Sequence, residues 1–187
     1  MLVRAGASPN AISVAGMVSG CAAGLLLAAT ISALGTAWVL FLLAALCVQL
    51  RLLANVLDGM VAVGRGVVSP VGELYNEIPD RVSDSAILIG AGYAAGDPAL
   101  GLLAALMAVL TAYVRATGKA AGAASDFRGP MAKQQRMALV TGACVFSAIA
   151  PVSWTVPALE AVLWVIAAGS AVTAVRRLIG IAGTLRA

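Results

Sequence analysis

Six oxygen-bearing side chains, Asn55, Asp58, Glu73, Glu77, Asp80 and Asp84, fall in one short stretch of a chain that is 61% hydrophobic and only 11% charged. Polar and ionisable groups in such surroundings are expensive to keep, so their default explanation is a functional site. Asn55, Asp58 and Ala62 are spaced three and four apart, and Gly72, Asn76, Asp80 and Asp84 are spaced four apart. Each set therefore shares one helical face, and the two faces can meet. Carboxylate and amide oxygens without His or Cys suit a hard divalent cation such as Mg²⁺ or Mn²⁺, and that cation suits a pyrophosphate substrate. Ion pairing is the competing assignment, because Glu77 and Arg81 are four apart and Arg81 adjoins Asp80. For Glu77 alone pairing is the better reading. Glu73 doubles as a first-turn acid behind the Ser69-Pro70 start.

Composition narrows the class around this cluster. The chain of 187 residues has no His, which removes imidazole bases, Ser-His triads and His-ligated haem. Carboxylates must do any acid or base work. Cys21, Cys47 and Cys144 lie far apart in apolar stretches and form no CxxC pair, so they read as packing residues. No nucleic-acid partner is expected. From Ala5 to Leu50 there is no Asp, Glu, Lys or Arg, long enough for two helical crossings with a turn near Gly35. Apolar character then continues to the C-terminus, unlike a signal peptide followed by a soluble domain.

The elements that must carry the acids are six membrane helices: Ile12 to Leu34, Ala37 to Val63, Val71 to Ala94, Pro98 to Thr117, Met137 to Pro151 and Pro157 to Leu178. We expect one all-α integral membrane domain, a six-helix transmembrane bundle over residues 1–187, with no linker or second domain. Connections near Gly35, Gly96 and Ser153 hold no Lys or Arg, whereas Arg4, Arg65, the stretch from Arg115 to Arg136, Arg176, Arg177 and Arg186 fall on the other side. The positive-inside rule puts both termini and the acidic cluster at the cytoplasmic face. Gly16, Gly20, Gly24, Ala28 and Ser32 make a smooth stripe for close helix packing, within the bundle or between protomers.

The segment Asn55-Val-Leu-Asp58-Gly59-Met-Val-Ala62-Val63, then eight residues, then Gly72-Glu-Leu-Tyr-Asn76-Glu-Ile-Pro-Asp80 resembles the CDP-alcohol phosphotransferase signature DxxDGxxAR(x8)GxxxDxxxD. The opening Ser8-Pro9-Asn10-Ala11-Ile12-Ser13 is similar to the short motif with which many members begin. Asp58, Gly59, Ala62, Gly72 and Asp80 match; the first and third acids are Asn55 and Asn76, and the arginine is Val63. In that family the four acids hold two divalent metals that bridge the CDP pyrophosphate. The resemblance thus implies that Asp58 is a metal ligand and Asp80 both base and second-metal ligand, with Asn55 and Asn76 offering carbonyl oxygens. Each Asn removes one negative charge, which Glu77 or Asp84 would restore in a divergent enzyme. Gly59 and Ala62 would give the cytidine room, and Gly72 would allow close approach to the third helix. Arg65, Arg51 or Arg81 would stand in for the missing arginine.

Lys119 and Arg128 read as topological charges, but Arg115, Lys133 and Arg136 would flank the cytoplasmic mouth of the same cavity. The resemblance implies a basic pocket there for acceptors carrying phosphate, such as glycerol phosphate or inositol phosphate. The activity implied is transfer of a phosphatidyl group from a CDP-lipid such as CDP-diacylglycerol to a small acceptor alcohol, with release of CMP. A homodimer in the cytoplasmic membrane, surrounded by membrane lipid, is implied as well. Alternatives are a catalytically silent lipid- or nucleotide-binding protein with a degenerate metal site, and a small transporter.

Overall fold

The computed structural model describes residues 8–33, 35–67 and 70–186. These form six α-helices, α1 Pro9–Ala29, α2 Ala37–Gly64, α3 Pro70–Ala94, α4 Pro98–Ala120, α5 Lys133–Ile149 and α6 Val152–Arg186, with a 3-10 turn, Thr30–Ser32, prolonging α1. Pro9 sits at the first turn of α1 behind an extended Ser8, where its missing N–H costs nothing. Gly66, at φ +64°, ends α2: the Val67 amide donates back to the Ala62 carbonyl at 3.1 Å. Asp97 caps α4 by accepting from the Leu100 amide at 2.9 Å.

Four helices are long and apolar enough to cross a bilayer: Pro9–Ser32, α2, α4 and α6. The expected six spans are not all of this kind. α3 carries Glu73, Glu77, Asp80, Arg81 and Asp84 between its first turn and just past its middle, and α5 has 17 residues and opens with Lys133 and Arg136. Both concentrate polarity at the end where the site lies. The last two helices also differ in extent from expectation. α5 begins four residues before Met137 and stops before Pro151, which cannot continue it. α6 starts at Val152, so Ser153 lies inside it and the turn is at Ala150 and Pro151. Pro157 is accommodated near its start, where one backbone donor is lost. At 35 residues α6 is about 52 Å long and outreaches a hydrocarbon core. The Ser69 start of α3, the charge at Arg4 and the end of the first span at Leu34 lie outside the described residues.

The small-residue stripe of α1 packs inside the bundle. A Cβ on Gly16 would stand 2.9 Å from the Ala54 Cβ on α2, and one on Gly20 would stand 2.5 Å from the Ser83 Cβ on α3. One on Gly24 would overlap the Ala86 carbonyl, and Gly90 in turn faces the Gly24 backbone. α1 therefore holds α2 and α3 in the register that brings their polar faces together. Below them one buried apolar cluster draws on all six helices, including Leu27, Val48, Leu88, Ala104, Met137 and Leu163. Gly24→Ala is expected to destabilise by about 1–3 kcal/mol, read as a lowered thermal midpoint in detergent. Gly142→Ala, where an added Cβ meets nothing within 4 Å, should leave it unchanged or slightly raised.

Candidate active site

The carboxylate of Asp58 is buried at the end of α2 and accepts a hydrogen bond from Ser13 Oγ at 2.5 Å. The serine of the N-terminal motif thus fixes one of the two matched acids. Asp58 opens onto a cavity of about 740 Å³ lined also by Ser8, Gly59, Ala62, Gly72 and Asn76. A side chain at Gly59 would project into open space. Glycine and alanine there leave the room that the sequence motif suggested.

Asp80 lies on α3 with its carboxylate surrounded by donors. Asn55 Nδ2 donates to its Oδ1 at 2.7 Å, Arg51 reaches the same oxygen at 3.2 Å, and Lys133 Nζ reaches Oδ2 at 2.5 Å. A second cavity of about 620 Å³ is lined by Asn55, Asn76, Asp80, Arg115, Lys133 and Arg177, among others. Asn76 and Glu73 line both cavities. The two chambers therefore adjoin, one small-residue and acidic with Asp58, the other rich in guanidinium and ammonium groups.

Three expected metal ligands are placed otherwise. Glu77 has Arg115 on Oε1 and Arg81 on Oε2, each at 2.6 Å, which is the ion-pair outcome. Asp84 is claimed on one oxygen by Arg51 and on the other by Arg136 at 3.2 Å. Both acids thus balance guanidinium charge, buried at Asp84 and half-buried at Glu77. Asn55 turns its amide nitrogen to Asp80, since a carbonyl oxygen against the carboxylate would be repelled. Toward Asp80 it acts as a donor.

The basic residues behave as a group. Arg115, Lys133 and Arg136 all line the second cavity, joined by Arg81 and Arg177. Arg136 is anchored by the Met131 carbonyl at 2.9 Å, and Arg115 lies over the Phe127 ring, 5.0 Å from its centroid. Lys119 pairs with Glu73, and Arg128 pairs with Asp126 at 2.8 Å. Hydrogen bonds from Arg128 hold the Asp126 carboxyl below the usual carboxylate range.

Arg51 and Arg177 carry more than their sequence positions suggested. Arg51 is fully buried and also donates to Ser83 Oγ at 3.0 Å. Its signal was available: Arg51, Asn55, Asp58 and Ala62 share one face of α2. Arg177 donates to the carbonyls of Thr111 at 3.0 Å, Arg128 at 2.9 Å and Phe127 at 3.3 Å, fastening the 121–132 segment beside the cavity. A buried arginine within a long apolar helix marks such a role, whereas as a charge near the C-terminus it reads as topology.

Among the described residues no three acidic, His or Cys side chains converge as a metal-binding group. A hard cation such as Mg²⁺ needs only one or two carboxylates when substrate phosphates complete its shell. Asp58 with the Asn76 carbonyl, facing one cavity, fits that oxygen-only requirement.

No family model matches the chain. A chain whose described residues are all-helical, with four helices fit to cross a membrane and adjoining acidic and basic chambers, is nevertheless similar to phosphatidylinositol phosphate synthases, which are CDP-alcohol phosphotransferases. That of Mycobacteroides abscessus is 29% identical over 185 residues, covering 95% of this chain and 78% of the relative. The Mycobacterium tuberculosis phosphatidylinositol phosphate synthase, in a crystal structure with CDP-DAG bound, superposes with a TM-score of 0.79 at 26% identity, covering 96% of this chain and 89% of that one. The same enzyme in complex with manganese and citrate gives a TM-score of 0.80 at 24% identity, over 96% and 85%, a likeness of fold.

Proposed function

We propose that this protein is a CDP-alcohol phosphatidyltransferase that moves the phosphatidyl group of CDP-diacylglycerol to an acceptor alcohol and releases CMP, in phospholipid synthesis. The observation that carries this is the adjoining of the two chambers at Asn76, with Asp58 in one and Asp80 among basic side chains in the other. The manganese and CDP-DAG of the tuberculosis relatives support a divalent cation, Mg²⁺ or Mn²⁺, and a CDP-lipid.

In this reading Asp58 and the Asn76 carbonyl hold the cation, Ser13 orients Asp58, and Gly59, Ala62 and Gly72 admit the cytidine. When bound, the cation neutralises charge developing on the pyrophosphate oxygens. Asp80 takes the proton of the acceptor hydroxyl as its oxygen bonds to the β-phosphorus. The bond from that phosphorus to the bridging oxygen breaks, and CMP leaves with the electron pair. Arg115, Lys133 and Arg136 attract a phosphate on the acceptor.

We further propose a single transmembrane domain in the cytoplasmic membrane, with α3 and α5 completing six crossings, the active site facing the cytoplasm, and a homodimer. Arginine and lysine at the site end support this orientation, and light scattering of the detergent-solubilised protein reads the dimer. Acceptor class is tested by CMP release from CDP-diacylglycerol with inositol phosphate, glycerol phosphate and free inositol. Phosphorylated acceptors are expected to react at least tenfold faster than free inositol. Equal rates would remove the basic chamber from acceptor binding. Binding of CDP-diacylglycerol without CMP release for any acceptor would favour the silent binder, which the Asn residues at two acid positions would then explain.

A further inference from the structure

The carboxylate of Asp80 offers about four lone-pair directions. Three are already addressed, by Asn55 Nδ2, Arg51 and Lys133 Nζ. One remains, and it cannot serve both a cation and the proton of an attacking hydroxyl. Charge points the same way. Asp84 and Glu77 are each taken by two arginines and Glu73 by Lys119, so the acids left for cations are Asp58 and Asp80, and Asp80 already faces Arg51 and Lys133. Two dications would set four positive charges, besides those two side chains, against two carboxylates. A single dication on the Asp58 side leaves a site that substrate phosphates can balance.

We infer that the site takes one divalent cation, held by Asp58 and Asn76, and that the Lys133 ammonium stands where a second cation would touch Asp80. Lys133 is suited to this because its charge is compact, and it enters from the first turn of α5 with its side chain only 22% exposed. Asn55 completes the exchange: a neutral donor to Asp80 replaces a carboxylate that would have called for a second metal. The inference rests on the transferase reading, since it concerns the cation that reading requires.

The test counts Mn²⁺ by electron paramagnetic resonance on the purified full-length protein, with CDP-diacylglycerol present. One Mn²⁺ per chain is expected, with the spectrum of an isolated ion. Two per chain with the dipolar broadening of a pair about 4 Å apart would overturn the inference and leave the transferase reading standing. None would overturn both. In the double variant Asn55→Asp, Lys133→Met the expected count rises to two, because a carboxylate is gained and the ammonium removed. A count that stays at one in a variant that still binds CDP-diacylglycerol would show that Lys133 is not what excludes the second ion. If the variant does not fold, the wild-type count still decides.

Discussion

Asp80→Asn should abolish CMP release while CDP-diacylglycerol remains bound. The amide keeps the shape and one acceptor oxygen, so the surroundings of Arg51 and Asn55 can persist, but it can no longer take a proton from the acceptor hydroxyl. General-base removal costs about 10²–10⁴-fold in turnover, and the substrate contacts attributed to the other chamber are untouched. Release of CMP at saturating Mn²⁺, measured alongside CDP-diacylglycerol affinity, checks both halves. Turnover near the wild-type rate would move the base away from Asp80. A parallel loss of affinity and turnover would make Asp80 a binding group.

Asp58→Asn should fail differently, weakening Mn²⁺ and CDP-diacylglycerol together. Asp58 is buried and oriented by Ser13, and it faces the cavity that we assign to the nucleotide. Removing groups that merely orient a metal ligand costs about 10–100-fold in metal affinity, so loss of the ligand's own charge should cost at least about 100-fold. Titration of Mn²⁺ with and without CDP-diacylglycerol would show the coupled loss. Undiminished affinity for both would place the cation elsewhere.

The all-helical membrane fold was legible because apolar runs and the side-restricted positive charges are strong signals that need no tertiary information. Packing of α1 was half legible: a four-residue rhythm of glycine announces a close neighbour, but which neighbour depends on Ser83 and Ala86 of α3. At the site, spacing singled out Asp58, Asn76 and Asp80, and these residues line adjoining cavities. It could not show that Asp84 would be spent on Arg51 and Arg136, because those partners come from α2 and α5 and their approach is set by three-dimensional packing. The same holds for Asn55. An amide offers oxygen or N–H equally well from sequence, and only the neighbouring Asp80 carboxylate decides between them. Arg177 was hidden for another reason: its partners are backbone carbonyls of a remote segment, which leave no residue pattern to match.

Phosphatidyl transfer is read from the balance of its two products. Purified wild-type protein is given CDP-diacylglycerol, inositol phosphate and Mg²⁺ or Mn²⁺, and CMP and the new lipid are quantified by mass spectrometry. One CMP should appear for each phosphatidyl-linked acceptor, and both should vanish when the cation is chelated. CMP without a phosphatidyl-linked product, or neither product under conditions where CDP-diacylglycerol binds, would mean that the protein is not a phosphatidyltransferase.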